Sequence, residues 1–119
     1  GKHSNGPTLG MTCAQFSKVS CKDYTLHTNY CNNCVVLKDL TVVLINNIVQ
    51  IDNIIYIIGY EFLNRGDFFT EPCNSSKFHI FKVDSLSAYN SKWKFSDIKY
   101  KSIALKLNSG YVIYPLIHT

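Results

Sequence analysis

From Cys34 to Ile117 the chain is a succession of short apolar runs rich in β-branched residues, and this pattern constrains its fold more than any other feature. Val35-Val36-Leu37, Val42-Val43-Leu44-Ile45 and Ile54-Ile55-Tyr56-Ile57-Ile58 are what a small, strongly curved sheet needs to fill its interior. No run sustains a 3.6-residue period over normal helix length, so the expected class is all-β. Lys38-Asp39-Leu40 makes a tight turn between strands Cys34–Leu37 and Thr41–Gln50. Asp52-Asn53 supplies the next turn, since both side chains tolerate the left-handed conformation. A strand Ile54–Leu63 follows, in which Gly59 marks a bulge or sharp bend.

The rest of the pattern is read in the same way. Residues 64–76, with Arg65-Gly66-Asp67 as turn residues and Glu71-Pro72 further on, are expected to be loop. Lys77–Val83 alternates as a strand would, and Trp93–Asp97 is a short strand or a single turn leading into Ile98–Leu107. Asn108-Ser109-Gly110 turns the chain into Tyr111–Leu116. Residues 1–30 show no sustained period, which makes them an irregular N-terminal arm or linker in front of a single domain at 31–119. Met11–Phe16 is long enough only for a helical turn or a segment packed on the sheet.

Length and composition bound the rest. A chain of 119 residues, 46% apolar and 17% charged, is one folded domain rather than a disordered tail. Asn46, Asn47, Gln50, Asp52 and Asn53 interrupt the longest apolar region well short of the roughly 18 residues of a membrane span. The opening Gly1-Lys2-His3-Ser4 lacks the order of a signal peptide, and a start without Met suggests part of a longer protein.

The five cysteines, an odd number, favour a reduced, intracellular setting, the nucleus included, over a disulfide framework. Cys31 and Cys34 have metal-ligand spacing, and Cys13 and Cys21 are candidates to complete a zinc set. Their separations match no standard finger or ribbon, and a buried Cys34 also behaves as a small hydrophobe, so no metal or other cofactor is expected.

Catalysis has no phrase to stand on. His3, His27, His79 and His118 are scattered, and no nucleophile elbow, paired carboxylate or phosphate loop accompanies them. A non-catalytic role is expected.

The net charge of +4 is uneven: residues 1–34 carry +2, 35–76 carry −3 and 77–119 carry +5. Lys92, Lys94, Lys99 and Lys101 therefore form a candidate nucleic-acid surface, with Trp93 or Tyr100 as a stacking partner. Their spacing by twos is also that of the solvated face of half-buried strands. The aromatic group Tyr60, Phe62, Phe68, Phe69 and Trp93 is a second candidate surface. Adjacent Phe68 and Phe69 point apart in an extended chain, which favours one being exposed.

The phrases Cys34-Val35-Val36-Leu37-Lys38-Asp39, Val42–Ile48, Ile57-Ile58-Gly59-Tyr60, Phe68-Phe69-Thr70-Glu71-Pro72, Trp93–Ile98 and Tyr111–Leu116 together resemble the C-terminal region of large, transposon-derived animal proteins. In layout the same stretch is similar to a bromo-adjacent homology domain, although no Arg precedes Pro72 and no aromatic cage can be named. The resemblance implies a small SH3-like β-barrel that presents a binding surface. On this reading the chain is an interaction or structural module that binds a peptide or another protein region. The alternatives are nucleic-acid binding through the basic C-terminal third and a secreted, disulfide-containing β-sandwich.

Overall fold

The structure, a computed structural model, describes residues 2–4, 6–10, 13–21, 24–29 and 32–116. Met11, Thr12, Cys31, Ile117 and His118, on which some of the expectations above fall, lie outside the described residues. Among the described residues there are eleven strands and two short 3-10 turns, and no α-helix, as the apolar runs require. The strands are β1 (Lys2–His3), β2 (Ala14–Phe16), β3 (Lys18–Ser20), β4 (Thr25–His27), β5 (Cys34–Leu37) and β6 (Val42–Ile51). They continue with β7 (Ile54–Asp67), β8 (Phe81–Leu86), β9 (Ser91–Lys94), β10 (Ile98–Lys106) and β11 (Tyr111–Pro115).

Every strand pair is antiparallel, and the pairings close on themselves. Passing from β5 to β6, β7, β8, β11 and β10 returns to β5, so six strands form a ring. Local chemistry sets the corners. At the β6–β7 turn Asp52 and Asn53 both have positive φ (50° and 68°), the geometry that joins two twisted strands through two residues. At the β10–β11 turn Gly110 has φ +80°, and Leu107 N–H donates to its carbonyl at 2.9 Å.

A bulge re-aims β6. Ile45 pairs with Gly59 and Asn47 with Ile58, which leaves Asn46 as the extra residue. The sequence places an irregularity at Gly59; the extra residue is on the partner strand opposite it. Gly59 lies between β6 and β9, and a Cβ there would collide with the Leu44 carbonyl oxygen.

Two apolar clusters share β5. Cys34, Val36, Val42, Phe62, Phe81, Val83 and Ile113 come from ring strands and fill the ring. Val35 and Leu37, on the other face of β5, join Val43, Ile45, Ile48, Ile57 and Ile98 in a second cluster outside it. A strand covered on both faces reads as an unbroken apolar run, which is why Cys34-Val35-Val36-Leu37 carries no polar residue.

The cover of the outer cluster comes from the described residues among 2–29 and from β9 with the turn after it. Fully buried Leu26 belongs to the cluster, and Phe16, Val19, Tyr24, Trp93 and Phe95 pack against it. The irregular arm expected for residues 1–30 is therefore corrected: β1 and β2 extend the sheet from β6, and β3 and β4 form a hairpin of their own. Strands of two or three residues carry no readable period, and their order comes from docking. Asn47, fully buried, fastens them: its Nδ2 donates to the Pro7 carbonyl at 2.8 Å and to Gln15 Oε1 at 3.0 Å, while its Oδ1 accepts from Ile48 N–H.

Two further expectations change. Asn64–Asp67 continues β7 and pairs with β8, so Arg65-Gly66-Asp67 is strand rather than turn. Residues 75–78 form a 3-10 turn, and the next strand begins only at Phe81. The cause is Ser75. Its buried Oγ accepts from Phe68 N–H (2.8 Å) and Phe69 N–H (3.3 Å) and donates to the Ile80 carbonyl (2.9 Å), folding residues 68–80 around one hydroxyl. Replacing Ser75 with Ala leaves these groups without the hydroxyl in a buried place, and we expect a loss of about 2 kcal/mol in chemical denaturation.

Candidate functional site

A cleft of about 490 Å³ opens where β7, β8, β11 and the β10–β11 turn meet. Its apolar wall is made of Phe62 and Tyr111, whose rings meet edge to face at 5.5 Å and which also belong to the packing inside the ring. The cleft therefore lies at a mouth of the ring. Ring geometry produces it: Phe62 pairs with Leu86 across β7 and β8, and Tyr111 pairs with Val83 across β11 and β8.

The rim is polar and carries both charges. Asp84 accepts from Asn64 Nδ2 at 2.6 Å and from Ser85 Oγ at 3.1 Å, so the carboxylate is held in place. Ser85 has φ 60°, a left-handed conformation uncommon for a residue with a side chain, in the strand segment that borders the cleft. Lys106 Nζ lies 5.0 Å from the Tyr111 ring centroid, over its face. Leu86, 41% exposed, extends the apolar surface outward. The arrangement sets two aromatic rings and Leu86 within a mainly polar rim.

The five aromatic residues expected to form one surface lie in separate places. Phe62 is 7% exposed and forms the wall of the cleft. Phe68, 48% exposed, meets Phe69 at 6.5 Å in the Ser75-centred loop. Tyr60 accepts at its hydroxyl from Asn90 Nδ2 at 3.3 Å. Trp93 packs on the outer cluster and lines a second cleft with Leu37, Lys38, Asp39 and Asp97.

The four lysines do not share a face either. Lys92 and Lys94 are exposed on edge strand β9, and Lys92 Nζ lies 4.6 Å from the Tyr56 ring centroid. Lys99 is exposed at a register shift in β10. Lys101, next on that strand, is 8% exposed, and its Nζ donates to the Thr25 carbonyl at 2.8 Å beneath the N-terminal hairpin. Burial lowers its pKa. Lys101 is thus removed from any nucleic-acid surface, and the register shift between Ile98 and Tyr100 breaks the regular alternation along β10.

The cysteines are dispersed in the same way. Cys34 lies in the ring among Val36 and Phe62, where burial pushes its thiol up to about 12, against the thiolate that zinc requires. Cys21 is exposed and its Sγ donates to the Tyr24 carbonyl at 3.1 Å; Cys13 is half-buried. Cys21, Cys34 and Cys73 are free thiols. No helix among the described residues is long and apolar enough to cross a membrane.

Sequence reading missed Asp84, Ser85, Leu86, Lys106 and Tyr111 as site residues. The available signal was the turn Asn108-Ser109-Gly110 set between Lys106 and Tyr111, which places a cation and an aromatic side by side across a hairpin. No curated protein and no solved structure matches the chain. The model of the family described as Domain of unknown function (DUF8592) matches residues 2–116, taking in the N-terminal strands as well as the ring, and the chain belongs to that family.

Proposed function

We propose that this domain is a non-catalytic recognition module of an intracellular, transposon-derived protein, built as an SH3-like barrel with the layout of a bromo-adjacent homology domain. Its ligand is an extended peptide or another protein segment that places a side chain against Phe62 and Tyr111. The observation that carries the reading is the cleft at the mouth of the ring, with its aromatic wall and its Asp84 and Lys106 rim. A cleft of about 490 Å³ takes one or two side chains, so affinity must come from a short anchor and from backbone contacts around the rim. Nucleic acid is the weaker reading, because Lys101 is engaged inside the domain and Trp93 faces the outer cluster.

Panning a random dodecapeptide library on the full chain tests the proposal, with Leu86→Glu as the counter-target. Leu86 is exposed, so the variant should melt as the parent does. Enriched peptides are expected to bind the variant at least about tenfold more weakly, the loss of roughly 1.4 kcal/mol at one anchor. Peptides that bind both proteins equally, or no enrichment, would overturn the reading.

A further inference from the structure

The second cleft, about 270 Å³, shares no lining residue with the first and has a different chemistry. Two turns and two strands make it, β5 contributing Leu37. Lys38 and Asp39 come from the β5–β6 turn, Asp97 from the 3-10 turn before β10, and Trp93 from β9. A backbone hydrogen bond from Lys38 N–H to the Asp97 carbonyl, 2.9 Å, ties the turns together, so the two acidic residues are held at a fixed separation. Asp39 is fixed further by Thr41 N–H, which donates to its Oδ1 at 3.0 Å; this bond is the largest reason its pKa lies below the ordinary carboxylate range. Trp93 is anchored by its packing on the outer cluster, which limits its movement.

We propose that this cleft receives the side chain of an arginine or lysine from a protein partner. Trp93 supplies flat, apolar surface for the aliphatic stem, and an indole face also attracts a cation. Asp39 and Asp97 supply acceptors for the guanidinium or ammonium head. Two basic residues of the chain lie nearby, and the charge of Arg65 reaches Asp39 although its guanidinium is engaged elsewhere. Arg65 Nη1 donates to the Leu40 carbonyl at 2.7 Å, and its guanidinium lies 5.5 Å from the Phe81 ring centroid. Lys38, exposed on the turn, is itself a lining residue, which leaves two carboxylates against one ammonium at the cleft. The size of the cleft suits a single long side chain, so the ligand is one basic residue. This site is independent of the Phe62 and Tyr111 cleft, and either can fail without the other.

Trp93 is the sole tryptophan of the chain and reports directly on the site. The full chain is titrated with acetylated, amidated Gly-Arg-Gly, Gly-Lys-Gly and Gly-Gln-Gly while indole fluorescence is followed. The expected result is a saturable change with the Arg and Lys peptides and none with the Gln peptide. Asp97→Asn and Asp39→Asn should each weaken binding by about fivefold to tenfold, whereas Leu86→Glu in the other cleft should leave it unchanged. Asp97→Asn spares the Thr41 hydrogen bond of the β5–β6 turn, so its effect separates charge from folding. An equal response to the Gln peptide, affinity unchanged in Asp97→Asn, or no fluorescence change at all would overturn the proposal.

Discussion

Gly59→Val should abolish folding. A Cβ at this position is directed at the Leu44 carbonyl oxygen, and Ile45 Cα stands 3.1 Å away. Both obstacles are backbone, so no side-chain rotation relieves them. The backbone cannot yield easily, because Gly59 is paired with Ile45 on one side and Ser91 on the other. The Asn46 bulge lies opposite, and shifting it would change which face of β6 its residues use. Ile45 and Ile48 share the outer cluster only because one extra residue separates them. Overpacking a tight interior costs about 1–3 kcal/mol where side chains can move, and obstruction by backbone places this variant beyond that range. Gly59→Ala should be destabilised by at least about 3 kcal/mol in urea titration, with the valine variant recovered unfolded or aggregated.

Leu26→Ala is the second large effect and tests the N-terminal cover. Leu26 is fully buried against Val35, Leu37 and the isoleucines of β6 and β7, yet it sits on a hairpin joined to the sheet by few backbone hydrogen bonds. Truncating a fully buried leucine costs about 2–5 kcal/mol. Here the loss should be partly local, because β3 and β4 pair with each other rather than with the ring. The expected signature is a lower melting temperature together with faster amide exchange across residues 14–29. Exchange inside the ring at Val112 and Ile113 should be less affected. Uniform loss of protection would mean that the cover and the ring unfold as one unit.

Particular residues show how much of this was legible in the sequence. Asp52-Asn53 and Asn108-Ser109-Gly110 could be read because a turn is a local problem solved by local chemistry. The double burial of β5 was visible as an apolar run without alternation. Lys77–Val83 looked like strand by alternation, but Ser75 recruits three backbone groups into a turn that no pattern of apolar residues announces. Residues 2–29 looked irregular since their order depends on Asn47 and Gln15, thirty-two positions apart. The first cleft was hidden for a similar reason. Its wall and rim come from β7, β8 and the β10–β11 hairpin, and only ring closure brings Phe62 beside Tyr111. Of the aromatics singled out by sequence, Phe62 and Trp93 each line a cleft, but not the same one.

A peptide held at the mouth of the ring would change the surroundings of the residues that line it. Backbone amide chemical shifts of the isotope-labelled full chain, titrated with the tightest library peptide, test this most directly. The largest shifts should fall on Phe62, Asp84–Leu86 and Ser109–Tyr111. Shifts concentrated instead on Lys92, Lys94 and Lys99, and erased by moderate salt, would contradict a peptide site there and mark the basic edge as the binding surface.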